Sequence, residues 1–142
     1  MVASTDIDFV SINMTADTDY YKVSLADAGK LNIVLKPLGP TYQDGLSAST
    51  QTSFNTSAQS DLSLRLYDST GLNLLATSNI TGLGGIESLL HFPVNAANYF
   101  VRVSGSQDAA QFYQLDIALV PEPAGFTLFA LGISTFFYRR RL

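Results

Sequence analysis

The sequence predicts an all-β protein, an antiparallel β-sandwich or jelly roll of about eight strands, followed by one apolar C-terminal helix. Apolar and polar residues alternate with a period of two over most of the first 120 residues, as in strands that bury one face. Gly, Asn and Asp residues that favour turns separate the alternating runs. With 142 residues, 46% of them hydrophobic, the chain can build one domain with a core.

The alternating runs are assigned in chain order. The first covers residues 7–14. The next two flank a turn at residues 27–29 and are predicted to pair as a hairpin, with these side chains facing inward: Tyr21, Val23, Leu25, Leu31, Ile33 and Leu35. Later runs cover residues 62–66, 74–78, 86–92, 99–103 and 113–119. In the run at 86–92, Ile86, Leu90 and Phe92 are predicted to face the core and His91, the only histidine, the solvent.

The alternation stops between residues 38 and 60. These 23 residues are rich in Ser, Thr, Gln, Gly and Asn, with Asp44 as their only charge. Loops longer than about 12 to 15 residues are uncommon in compact domains and are usually functional or disordered. A passive insertion is the simpler interpretation because extra loop length costs little free energy. A ligand-binding loop is the alternative, with Tyr42 and Phe54 as its candidate contact residues.

Charge and composition exclude several classes of function. Residues 1–120 hold eleven acidic and five basic residues, a net charge of −6, so nucleic acid is not an expected partner. The absence of cysteine excludes disulfides, thiolate metal sites and a Cys nucleophile. No nucleophile motif accompanies His91. We therefore predict no catalytic residue and expect that the protein is not an enzyme.

The N-terminus lacks the features of a signal peptide. The first ten residues contain Asp6 and Asp8, and they show neither a basic segment nor an apolar stretch. We expect an export signal to lie upstream of Met1, so that residues 1–14 are a strand or linker continuing from a longer chain.

The C-terminal run at residues 124–138 contains no charged residue. A helix of this length spans about 22 Å, less than the roughly 30 Å of a bilayer core, so length alone also fits a buried helix. The flank favours the membrane, because Arg139, Arg140 and Arg141 satisfy the positive-inside rule and can extend to the lipid headgroups. We predict a tail inserted in the lipid, with the β domain outside the cytoplasm.

A short proline motif precedes this run. Pro121 and Pro123 hold Glu122 in an extended conformation. The motif, the apolar run and the arginine cluster, in this order at the C-terminus, resemble the PEP-CTERM sorting signal of exported bacterial proteins. The resemblance implies that exosortase, a membrane-embedded cysteine transpeptidase, recognises these three residues and cuts near them. Residues 121–142 would then be a sorting tail, and the rest would be released or attached to the cell envelope.

The body carries four short motifs, at residues 17–21, 61–68, 98–103 and 112–115. Their order resembles that of the bacterial pre-peptidase C-terminal domain, and the match covers residues 15–120. The resemblance implies a β-sandwich accessory module of a secreted protein, a class in which some members bind protein fibres or saccharides. Some related domains bind calcium, which makes Asp17 and Asp19 candidate ligands. Two carboxylates fall short of the six to eight oxygens that calcium takes, so a turn capped by an Asp side chain is the alternative and no cofactor is predicted.

Three functions stay open. The favoured one is a non-catalytic accessory module sorted to the envelope, because the tail is the most specific feature of the sequence. The second is a module that binds polysaccharide or protein through residues 38–60. The third is the C-terminal part of a secreted peptidase whose catalytic domain lies upstream of Met1.

Overall fold

The structure is a computed structural model that describes residues 5–121, with side chains from residue 10 onward. Its strands are β1 Thr5–Ile12, β2 Thr18–Ser24, β3 Gly29–Leu38, β4 Thr41–Asp44, β5 Thr52–Asn55, β6 Leu62–Tyr67, β7 Leu74–Ser78, β8 Glu87–Val94, β9 Asn98–Gly105 and β10 Gln111–Pro121. One short 3₁₀ helix, Thr56–Ala58, follows β5. Within residues 5–121 no helix is long and apolar enough to cross a membrane. The predicted membrane helix at residues 124–138 lies outside the described residues.

Eight of the strands form two four-stranded antiparallel sheets. The first sheet has the order β1-β10-β3-β8, and the second has the order β2-β9-β6-β7. Within residues 5–121, β4 and β5 pair only with each other. Without that pair, the remaining strands in chain order form sheets 1-8-3-6 and 2-7-4-5, which is the jelly-roll arrangement. The predicted β-sandwich of eight main strands is confirmed.

The core lies between the two sheets and contains alternate residues of each. These side chains are buried: Ile12, Leu31, Ile33, Leu35, Leu62, Leu64, Leu66, Val94, Tyr99, Val101, Val103, Tyr113, Leu115 and Ile117. Burying a Leu, Ile or Val side chain contributes about 1.5 to 3 kcal/mol, so this set supplies the main force that holds the sheets together. The period of two in the sequence therefore predicted the correct faces for most strands.

The predicted hairpin at residues 20–35 is wrong. β2 pairs with β9 in the second sheet, whereas β3 pairs with β10 and β8 in the first. The turn at residues 27–29 carries the chain from one sheet to the other. Alternation fixes which face of a strand is buried but says nothing about its partner, and consecutive strands of a jelly roll often lie in opposite sheets.

A bulge interrupts the pairing of β8 with β3. Leu90 and His91 together lie opposite Asn32, because the register shifts at this point. His91 has a positive φ of 57°, and its backbone N–H donates to Asn32 Oδ1 at 2.7 Å. An extra residue of this kind reverses the alternation on either side of it.

The bulge overturns part of the face assignment for β8. Leu89 and Phe92 pack against the core, while Ile86 and Leu90 are 50% and 57% exposed. The prediction that Ile86 and Leu90 face inward is wrong. The prediction that His91 faces the solvent is confirmed.

The β4–β5 hairpin and Pro121 lie at opposite ends of the sandwich. β10 runs antiparallel to β3, with Pro121 opposite Gly29 and Phe112 opposite Leu38. The β4–β5 hairpin follows Leu38 and lies at one end, which we call the hairpin end. Pro121 lies at the other, the tail end. The 11 residues of β10 separate them by about 35 Å.

Candidate functional site

The stretch at residues 38–60, predicted as an irregular loop, contains a β-hairpin. β4 pairs with β5 in the register Thr41 with Asn55 and Asp44 with Thr52, and all residues of both strands are exposed. A hairpin that buries neither face shows no apolar alternation, and for this reason the sequence did not reveal it.

The hairpin brings together the two aromatic residues singled out from the sequence. Tyr42 lies directly opposite Phe54, so the two side chains share one face of the hairpin. They are 55% and 42% exposed, and Leu46 at the hairpin tip is fully exposed. Two adjacent aromatic rings in contact with water offer an apolar platform for a ligand.

The side chains around this pair are polar and almost all uncharged. Asp44 is the only charged residue of the hairpin. The others on the two strands carry hydroxyl or amide groups: Thr41, Gln43, Thr52, Ser53 and Asn55. Such a surface can stack on a ring and exchange hydrogen bonds, but it has no pair of groups suited to acid–base catalysis.

A buried glutamine fixes the base of the hairpin. Gln111 is fully buried, and its Nε2 donates to the carbonyl oxygens of Leu38 and Thr56, each at 3.2 Å. Its Oε1 accepts from the backbone N–H groups of Gln59 at 2.8 Å and Ser60 at 3.3 Å. One side chain therefore ties the chain segments on both sides of the hairpin to the first sheet.

Gly39 completes the base. Its φ of 145° is one that other residues rarely adopt, and a Cβ there would overlap the Thr56 hydroxyl, which donates to the Pro40 carbonyl at 2.7 Å. Sequence reasoning missed Gln111. A signal was present, because Gln111 lies two residues before Tyr113 and so occupies an inward position of β10.

Sequence reasoning also missed a buried carboxylate. Glu87 is 1% exposed and accepts hydrogen bonds from Ser78 Oγ at 2.5 Å, Thr81 N at 2.8 Å, Thr81 Oγ1 at 2.5 Å and Ile80 N at 3.0 Å. Burial acts to raise the pKa of Glu87, but the hydrogen bonds from Ser78, Thr81 and Ile80 together lower it below its ordinary value. Glu87 therefore stays ionised and anchors the β7–β8 loop across the two sheets.

The candidate calcium ligands are engaged with the protein itself. Asp17 Oδ2 accepts from the backbone N–H of Asn13 at 3.1 Å, as the turn-capping interpretation predicts. Asp19 Oδ2 accepts from the Tyr113 hydroxyl at 2.5 Å, which also lies 2.6 Å from the Tyr21 hydroxyl. Burial, followed by these contacts, raises the pKa of Tyr113. Among the described residues no three acidic or histidine side chains come together to hold a metal ion.

Of the predicted sorting motif, only the first residue lies in the described range. Pro121 is the last residue of β10, opposite Gly29, and it is exposed. Glu122, Pro123 and the arginine cluster at residues 139–141 lie outside the described residues.

Solved structures that are similar to this chain include two of low sequence identity. The pre-peptidase C-terminal domain of a collagenase from Bacillus anthracis is 16% identical, with a TM-score of 0.53, over 80% of this chain and 87% of that one. The Yersinia pseudotuberculosis-derived mitogen is 10% identical, with a TM-score of 0.50, over 89% of this chain and 92% of that one. No family model and no curated protein matches the sequence. The likeness of the body to a pre-peptidase C-terminal domain is supported in its fold.

Proposed function

We propose that this protein is a non-catalytic accessory module that is exported, held in the inner membrane by its C-terminal tail and processed there by exosortase for the cell envelope. The observation that carries the proposal is the order of proline motif, apolar run and arginine cluster that follows β10. The fold is similar to that of the pre-peptidase C-terminal domain of a collagenase, which is consistent with this role.

The described side chains support a role without catalysis. The buried titratable groups Glu87 and Tyr113 each hydrogen bond to residues of the protein and hold structural elements together. A general acid or base must be able to contact the substrate. Glu87 and Tyr113 are both buried, so neither side chain can do so. His91 is exposed on a bulge.

The predicted motif begins at the end of β10, a position that a processing enzyme could reach. β10 keeps its pairing with β3 as far as Pro121, so the motif would begin at the end of a paired strand, at an exposed residue. A protease or transpeptidase needs an extended and accessible segment, which Pro121 and Pro123 favour in Glu122.

The proposal is tested with the tail alone. We expect residues 118–142, fused to an exported reporter, to be cleaved in a strain that has exosortase and to stay membrane-bound in a strain that lacks it. Replacing Glu122 by Gln should block cleavage, whereas Thr127→Ser, a polar position in the apolar run, should leave it unchanged. Equal processing in the two strains would refute the sorting proposal.

The exposed aromatic pair favours a second role, binding of an uncharged polysaccharide or a protein fibre at the hairpin. Tyr42 and Phe54 lie at the end of the sandwich away from Pro121. If the tail enters a membrane, the hairpin would lie on the side of the domain that faces away from the bilayer, about the length of β10 from the tail end. Gln111 holds the hairpin in place, which limits the entropy lost when a ligand binds.

Retention of the full chain on crystalline cellulose and on fibrillar collagen measures this role. We expect the Tyr42→Ala, Phe54→Ala double variant to lose retention at least about tenfold, since aromatic contacts of this kind dominate small binding surfaces. The matched control removes exposed apolar groups at the tail end, Leu72→Ala with Leu74→Ala, and should bind as the wild type does. Equal binding by both double variants would exclude the hairpin as the contact surface.

A further inference from the structure

Outward-facing residues of the second sheet form a surface that we call the basic aromatic face. They alternate with core residues along β2, β6 and β9 and so point away from the core. They lie in two adjacent rows across these strands: Lys22, Phe100 and Tyr67 in one, and Tyr20, Arg102 and Arg65 in the other.

This face concentrates positive charge on an acidic domain. It holds three of the five basic residues found in residues 1–120, where eleven acidic residues occur. Asp19 turns toward the Tyr113 hydroxyl, and Asp68 accepts hydrogen bonds from the turn that follows β6. Asp61 lies four residues before Arg65, about 13 Å along the strand. No ion pair joins the three cations to an acidic residue in the described part of the chain.

Two of the cations face each other. Arg65 lies directly opposite Arg102 in the β6–β9 pairing. Like charges in this position repel, which destabilises the sheet. The Nε atoms of both guanidinium groups are shielded from water and have no hydrogen-bond acceptor among residues 5–121. Most shielded polar atoms of a protein have a hydrogen-bond partner, so two unpaired Nε–H groups side by side are unusual.

Aromatic rings lie beside the charges. The Arg102 guanidinium carbon is 5.8 Å from the centre of the Tyr20 ring, within cation–π range, and Tyr20 is 56% exposed. Hydrogen bonding from Arg102, with Arg65 acting in the same direction, lowers the pKa of Tyr67. Tyr67 follows Arg65 by two residues on the same face of β6 and lies opposite Phe100, so aromatic ring surface borders the positive charge.

We propose that the basic aromatic face binds an acidic polysaccharide, a polymer of sugar rings that carry carboxylate or sulfate groups. An acid group accepts hydrogen bonds from Arg65 and Arg102 and removes their mutual repulsion. A neighbouring sugar ring packs its apolar face against Tyr20 or Phe100. The site is separate from the hairpin and does not require the proposed sorting of the protein.

Other polyanions fit this face less well. An extended acidic peptide is usually bound through backbone hydrogen bonds at a sheet edge, whereas Arg65 and Arg102 lie on β6 and β9, the two inner strands of this sheet. Base-specific binding of duplex DNA uses a helix or a two-stranded ribbon that enters a groove, whereas this face is the surface of a four-stranded sheet. An anionic membrane needs apolar side chains that insert, and Tyr67 and Phe100 are only partly exposed.

Calorimetric titration of the full chain in non-ionic detergent tests the proposal, with polygalacturonate, dextran sulfate and neutral dextran as probes. We expect binding to one or both acidic polymers, none to dextran, and weakening as salt is raised. The Arg65→Gln, Arg102→Gln double variant should bind at least about tenfold more weakly, since it loses charge-assisted hydrogen bonds. The matched control Lys30→Gln, Lys36→Gln removes two charges from the outer face of the first sheet and should change affinity less than about twofold.

Three outcomes would overturn the proposal: no binding of either acidic polymer by the wild type, equal weakening in the two double variants, or equal affinity for duplex DNA or anionic vesicles. Thermal unfolding checks that the arginine variant is folded. If it is not, Lys22→Gln, an exposed side chain on the same face, should weaken binding about threefold, and an unchanged affinity would count against the site. The Tyr42→Ala, Phe54→Ala variant should bind the acidic polymer as the wild type does, so this site and the hairpin fail or succeed separately.

Discussion

The polar groups between the two sheets differ from those on the outer face of the second sheet in whether the protein supplies their partners. Inside, Glu87, Gln111 and Tyr113 each have hydrogen-bond partners in the protein. Outside, Arg65 and Arg102 face each other with no acidic partner among the described residues. The protein itself supplies the hydrogen-bond partners of these interior groups, but it supplies no acidic partner for the two arginines among the described residues.

The difference follows from the cost of burial. A buried polar group without a partner costs about 1 to 3 kcal/mol, so the core accepts only groups whose partners the fold supplies. Like charges at a partly exposed surface cost much less because water and salt screen them. A surface can therefore keep an unsatisfied arrangement that a ligand completes.

The largest effect is expected at Glu87. Glu87→Ala should lower the free energy of unfolding by about 2 to 4 kcal/mol, because four donors in and beside the β7–β8 loop lose their acceptor. Denaturation by urea at neutral pH measures it. Asp44→Ala, an exposed carboxylate on β4, is the matched control and should leave the midpoint unchanged.

The same variant gives a test by pH. Because the pKa of Glu87 in the folded protein is below its ordinary value of 4.5, ionised Glu87 stabilises the fold above that pH, and the stabilisation is lost as pH falls through the folded pKa. The difference in stability between the wild type and Glu87→Ala should therefore shrink in acid. A constant difference down to the lowest pH would show that Glu87 acts by packing and not by charge.

Alternation along the strands predicted most of the core but could not predict contacts between distant residues. Leu64 and Val103 are buried as the period of two requires, since each strand has one face in the core. The bulge at His91 depends on Asn32, 59 residues away, which no local pattern shows. For the same reason the hairpin prediction for residues 20–35 failed, because strand partners are chosen by the whole fold.

The candidate sites show the same limit. Tyr42 and Phe54 were predicted as contact residues because they are aromatic residues in a long polar stretch. Only the structure shows that they lie opposite each other in a hairpin. The three cations of the basic aromatic face are at positions 22, 65 and 102, so they form no cluster in the sequence. The fold brings them together because β2, β9 and β6 are neighbours in one sheet.

The smallest effect on stability is expected at Arg65. Arg65→Gln should change the free energy of unfolding by no more than about 0.5 kcal/mol, and in the stabilising direction, because it removes repulsion from Arg102 without breaking an ion pair. A double-mutant cycle with Arg102→Gln should give a repulsive coupling that fades as salt is raised from about 0.05 to about 1 M. Lys36→Gln, with no cation opposite it on β10, should show no such coupling with Arg102→Gln. A loss of more than about 1 kcal/mol in Arg65→Gln would mean that Arg65 has a structural partner, and the outer face would then resemble the interior instead of differing from it.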